Sequence, residues 1–86
     1  MLWSDKELIN LAQTAEKLGY EAIFIAESWG RDAFSLLALL AVNTKRIKLG
    51  TGILVLPVRN PVLLAKQLSS MDQISGGRLL LGLASG

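Results

Sequence analysis

The sequence contains neither cysteine nor histidine. The first absence excludes disulfides, thiolate metal sites and cysteine nucleophiles. The second removes the commonest general base and metal ligand. Charge of one sign is also scarce. Nine Lys+Arg against seven Asp+Glu leave +2, and these residues are scattered rather than clustered on one face with aromatics, so no nucleic-acid partner is expected. There is no Walker-type G-x-x-x-x-G-K, no carboxylate cluster with metal-ligand spacing, and Ser28 lies outside any G-x-S-x-G. Long apolar runs are missing too. The uncharged stretch from Ala33 to Thr44 is interrupted by Asn43 and falls short of the roughly 20 residues of a membrane span. The opening MLWSDKELIN lacks the basic-then-apolar order of a signal peptide. A soluble, cytoplasmic chain is the expectation, and a cysteine-free composition agrees with a reducing compartment.

What is present is a short, apolar chain. It has 86 residues, 51 % of them hydrophobic, which is enough for one small core and too apolar for a disordered tail. Ser4 and Glu7 have the spacing of a capping box. Leu8, Leu11, Ala12, Ala15 and Leu18 follow at helical spacing, and Gly19 sits where a left-handed cap is needed. Ala22 to Ala26 is a continuous apolar run of the kind that forms a fully buried parallel strand. Asp32 can cap a helix from Ala33 to Asn43, apolar nearly all round and therefore expected to be well covered. A second strand, Ile47 to Val55, contains Gly50 and Gly52; glycine inside a strand marks a bulge or the close approach of a ligand. Asn60-Pro61 starts a third helix, with Leu64, Ala65, Leu68 and Met71 on its buried face, and Gly76-Gly77 ends it. Arg78 to Ala84 reads as a third buried strand.

The order is thus helix, strand, helix, strand, helix, strand. Strands spaced by about 30 residues with intervening helices imply parallel pairing through right-handed crossovers. An open doubly wound sheet and a slice of a (β/α)8 barrel both satisfy that pattern. Two features favour the partial TIM barrel of about three β-α units. No glycine-rich phosphate loop opens a helix, and the polar and aromatic residues gather after strand ends. A whole barrel takes about 250 residues, and a three-strand slice has two unpaired edges.

Three segments carry a family resemblance: Ala26 to Ser35 (A-E-x-W-G-x-D-A-F-S), Thr44 to Ile53 (T-x-R-I-x-L-G-T-G-I) and Met71 to Gly82 (L-D-x-[IL]-S-G-G-R-x-x-L-G, with Met71 in the Leu slot). With them the chain resembles the luciferase-like flavin and deazaflavin oxidoreductases of the bacterial luciferase superfamily, on the deazaflavin-dependent side. The match covers nearly the whole chain but only the front of the family's domain. Residues 1-86 are therefore expected to be an N-terminal segment of a luciferase-like barrel. The resemblance implies hydride transfer between coenzyme F420 and a small organic substrate, with an FMN-dependent monooxygenase as the alternative. A non-catalytic half-barrel that self-associates, or whose partner completes the barrel, is a third reading; a homo-oligomer suits the exposed edges. Whether the short chain is an enzyme by itself stays open.

The candidate catalytic residues are Glu27 and Trp29, directly after the first strand. A carboxylate there can hold a donor or relay a proton, and an indole can stack on a ring; a solvated loop glutamate and a cover residue are the plain alternatives. The resemblance implies cofactor contact at Gly52 and Ile53, whose peptide is expected to bulge against the back of the ring in a non-prolyl cis form. For the short chain alone, trans is expected. Ser85 and Gly86, after the third strand, complete the cofactor-binding set. Many relatives carry a histidine after the glutamate; Ser28 stands there here. Asp32 is read as a helix cap first, and Arg59 as a solvated loop residue or a contact for an anionic tail. No metal ligand is expected.

Overall fold

The computed structural model describes residues 4–27, 31–55 and 59–84. Its elements are α1 (Asp5–Lys17), β1 (Ala22–Ile25), α2 (Ala33–Val42), β2 (Lys48–Val55), α3 (Pro61–Ser75) and β3 (Leu79–Ala84). The sheet is parallel throughout in the order β1-β2-β3. Right-handed crossovers that step in one direction put the helices on one face, which is the arrangement of a barrel slice.

Each boundary has a local cause. Ser4 and Glu7 form the capping box: the Ser4 hydroxyl accepts from the Glu7 N–H at 3.1 Å, and the Glu7 carboxylate accepts from the Ser4 N–H at 3.0 Å. Asp32 accepts from the N–H of Ser35 and caps α2. Asn60 accepts from Val62 and Leu63, with Pro61 in the first turn of α3. Gly76 and Gly77, at φ of +65° and +80°, turn the chain out of α3 through the left-handed region that side chains disfavour.

The core lies between sheet and helices. Leu36, Leu37 and Leu40 of α2 meet Ile25, Leu49 and Leu54 of the strands, with Leu8 and Ala12 from α1 and Met71 from α3. Each fully buried leucine contributes about 2 kcal/mol by area. Helix α2 is covered as its composition implies, apart from Ser35 and Val42, which are exposed. Strands β1 and β3 both correct their reading as buried: Leu80, Leu81 and Leu83 of β3 are exposed. Phe24 is 57 % exposed, because alternation turns it to the sheet face opposite the helices, where Leu80 also lies open. Phe24 instead packs over the two glycines of β2: a Cβ on Gly50 would stand 2.7 Å from its ring, and one on Gly52 3.2 Å from its Cβ.

Glu16 fixes the return from α2 to β2. Its carboxylate accepts the backbone N–H groups of Lys45, Arg46 and Ile47 in succession. The bonds from Ile47 and Arg46 above all hold its pKa down at about 2, against an ordinary 4.5. A carboxylate with a depressed folded-state pKa adds stability above the unfolded value and loses it as pH falls through the folded one. The urea midpoint of the native chain should therefore exceed that of Glu16→Gln by a constant margin above pH 4.5, and the margin should close between 4.5 and about 2. A margin unchanged at pH 2 would contradict this assignment.

Candidate functional site at the strand exits

The C-terminal ends of β1 and β2 bring Glu27, Gly52, Ile53 and Arg59 into one neighbourhood. Strands β2 and β3 pair in register as far as Thr51 and Leu81, then slip, and resume at Leu54 with Leu83. Gly52 and Ile53 occupy the slip, and the peptide between them is cis. That agrees with the resemblance and corrects the trans form expected for the short chain. The local frame that holds this segment is Thr51. Its side chain, 1 % exposed, accepts from the Gly82 N–H at 2.9 Å and donates to the Gly82 carbonyl at 2.8 Å. A hydroxyl thus replaces the ladder bonds that the slip removes.

Glu27 is tied to the same segment: its backbone N–H donates to the Ile53 carbonyl at 3.3 Å. Its side chain is 13 % exposed and pairs with Arg59, which is 12 % exposed. The Ala33 N–H, in the first turn of α2, reaches Glu27 Oε2 at 3.4 Å. Arg59 also lies 3.3 Å from Asp32 Oδ1, and its guanidinium carbon sits 5.1 Å from the centre of the Phe34 ring. Its Nε is buried with no hydrogen-bond partner among the described residues. Burial works against ionisation of Asp32, but bonds from the Ser35 N–H and hydroxyl and from Arg59 outweigh it and lower its pKa. Asp32 is thus both a helix cap, as read from the sequence, and a member of this ion-pair group.

Of the six site residues named from sequence, Glu27, Gly52 and Ile53 come together here. Trp29, Ser85 and Gly86 lie outside the described residues. Arg59 departs from its reading as a solvated loop residue: most of its side chain is covered, against two carboxylates and a phenyl ring. Phe24 carries no signal of its own in the sequence. What marks it is the pairing of an aromatic in one strand with Gly50 in its neighbour, a register visible only once the strands are aligned.

The surroundings of Gly52 fit a flat ring. Bare backbone is exposed there, Ile53 is 45 % exposed, and Phe24 borders it on the open face of the sheet. A groove of about 400 Å³ runs between α2 and α3, lined by Ala38, Leu63 and Met71 among others, and it meets the Arg59 cluster at Asp32 and Phe34. Among the described residues no helix is long and apolar enough to cross a membrane.

Three parallel strands in sequential order, with polar groups at their C-terminal ends, match a slice of a TIM barrel. The family model for luciferase-like monooxygenases matches residues 4–86, and the chain belongs to that family. It is 40 % identical, over 81 residues, to the 5,10-methylenetetrahydromethanopterin reductase of Methanolobus tindarius, covering 93 % of this chain and 25 % of that protein. The structure of the coenzyme F420 dependent tetrahydromethanopterin reductase from Methanopyrus kandleri superposes with a TM-score of 0.90 at 33 % identity, over 98 % of this chain and 24 % of that one. The oxygenating constituent of 3,6-diketocamphane monooxygenase from Pseudomonas putida, solved with FMN, gives 0.88 at 28 % identity, over 95 % and 24 %. The chain spans about a quarter of the length of these relatives.

Proposed function

We propose that residues 1–86 form the N-terminal segment of a luciferase-like barrel domain that transfers hydride between coenzyme F420 and a small organic substrate. The observation that carries this reading is the meeting of Glu27, Arg59 and the Gly52–Ile53 segment at one end of a parallel sheet, in a chain of this family. Gly52 lets backbone approach one face of the ring, because no Cβ stands in the way. Ile53 and Phe24 supply apolar surface and exclude water. Glu27 accepts a hydrogen bond at the strand exit from an N–H of the bound ring or a donor of the substrate. Trp29, Ser85 and Gly86 keep in this reading the ring-stacking and cofactor-contact roles that the family resemblance implies. The hydride chemistry itself belongs to the cofactor when bound.

Titration of the purified chain with F420 and with FMN, followed by cofactor fluorescence, tests the reading. Saturable binding of F420 supports it. Binding of FMN alone would replace it with the flavin-dependent monooxygenase reading, which relatives of that kind also support. Binding of neither, with a native circular dichroism spectrum, would leave no ring site on this segment.

One observation favours a further reading of how the segment works. Phe24, Leu80, Leu81 and Leu83 are all at least a third exposed on the sheet, and β1 and β3 are its outer strands. Such edges pair readily, so the segment functions with further barrel strands, from its own polypeptide or from a partner. Sedimentation of the 86-residue chain tests assembly; a folded, strictly monomeric species at high concentration would argue against self-association.

A further inference from the structure

We propose that Arg59 is the positioning residue of this site: it holds the Glu27 carboxylate in place and does not grip the anionic tail of a cofactor. The inference rests on the functional reading above and names the part that one residue plays in it.

The guanidinium is already committed. It donates to Glu27 Oε2, lies 3.3 Å from Asp32 Oδ1, and stacks 5.1 Å from the centre of the Phe34 ring. Phe34 is itself buried, at 5 % exposure. Two carboxylates answer the one guanidinium, so its charge is already matched before a phosphate or carboxylate tail arrives. Access is closed as well, since the Arg59 side chain is only 12 % exposed and its Nε is buried.

The same contacts fix Glu27 from three sides. Its backbone is tied to Ile53, its carboxylate receives the Ala33 N–H from α2, and Arg59 approaches from the residue before the Asn60 cap of α3. One side chain thus joins the exit of β1, the first turn of α2 and the start of α3. A planar, stacked guanidinium suits that task, and a lysine ammonium, a single point charge, does not.

The test is a set of affinities, measured by fluorescence titration, for ligands with and without their anionic tails. These are FMN against riboflavin, and F420 against its tail-less deazaflavin core. The proteins are the native chain, Arg59→Met, Arg59→Lys, Glu27→Gln, and the double variant Arg59→Met/Glu27→Gln. Loss of a charge-assisted contact should weaken binding about tenfold. Arg59→Met and Glu27→Gln should each do so, by the same factor for tailed and tail-less ligands. The double variant should be no weaker than either single one, because the two residues act as one unit. Arg59→Lys should recover only part of the loss, and it carries the comparison where Arg59→Met does not fold.

A loss confined to tailed ligands would overturn the proposal in favour of a tail contact. So would additive losses, or unchanged affinity in a folded variant. Absence of ring binding by the native chain would overturn the functional reading, and with it the positioning role. Non-additive urea stabilities of the Arg59 and Glu27 variants would then mark Arg59 as a structural clamp only.

Discussion

Gly82→Ala should unfold the chain at a much lower urea concentration, with a loss of about 3 kcal/mol, equivalent to roughly 15 °C in melting temperature for a domain of this size. The cause is contact with backbone. A Cβ on Gly82 would stand 2.3 Å from the carbonyl oxygen of Thr51, far inside any tolerated approach. A flexible side chain could swing aside, but this neighbour is the main chain of the central strand. Thr51 and Gly82 are also joined twice through the Thr51 hydroxyl, at 2.8 and 2.9 Å. Either the strands part and both bonds weaken, or the methyl group is accommodated by bending β3. Each route disturbs the slip that presents Gly52 and Ile53.

Two comparisons isolate that cause. Gly50 is also crowded, at 2.7 Å from the Phe24 ring and 2.9 Å from the Leu80 carbonyl. The ring is exposed and can turn, so Gly50→Ala should cost less than Gly82→Ala. Gly19 has open space around it but a φ of +87°, so Gly19→Ala should cost only about 1 kcal/mol, through conformation alone. Equilibrium unfolding of the three variants, followed by circular dichroism, checks the order. A Gly82→Ala midpoint within experimental error of the native one would show that the strands separate freely at this point.

The architecture was legible because local signals agreed with one another. Ser4 with Glu7, Asp32, Asn60-Pro61 and Gly76-Gly77 each act through bonds or dihedrals within a few residues, and the spacing of apolar runs then leaves parallel pairing as the consistent solution. Residues whose roles depend on distant partners were not legible. Arg59 meets Glu27 across 32 positions, and Glu16 meets Ile47 across 31; no window of sequence contains either pair. Phe24 failed for another reason. A continuous apolar run states that a strand is apolar but does not say which face the helices cover. The site was half legible: strand exits locate Glu27, and glycines in a strand locate Gly52. The guanidinium between Glu27 and Asp32 depends on how two connections converge, the one from β1 to α2 and the one from β2 to α3.

Arg78→Met should be the other strongly destabilising change, at about 3 kcal/mol, and it acts at the opposite end of the sheet from the candidate site. Arg78 immediately precedes β3. Its Nε donates to the Ser75 carbonyl at 2.6 Å, at the end of α3. One terminal nitrogen donates to Thr44 Oγ1 at 2.9 Å and the Ile47 carbonyl at 3.1 Å. The other donates to the Ala41 carbonyl at 2.9 Å, in the last turn of α2, with the Thr44 carbonyl at 3.4 Å. The last carbonyls of a helix have no partners within it, and their dipoles favour a cation. One guanidinium supplies that partner to two helices at once and anchors the turn into β2.

Methionine fills much of the same volume but leaves these partly buried carbonyls unsatisfied, which accounts for the size of the loss. Lysine restores the charge but not the fan of donors, so Arg78→Lys should fall well short of the native chain. Because Arg78 lies at the N-terminal strand ends, below the unfolding transition both variants should bind the ring with native affinity. That combination of large stability loss and unchanged affinity separates Arg78 from Arg59, for which loss of affinity is expected. If Arg78→Lys matched the native midpoint, a single positive charge would suffice, and the helix ends would be held by electrostatic attraction and not by the directed hydrogen bonds.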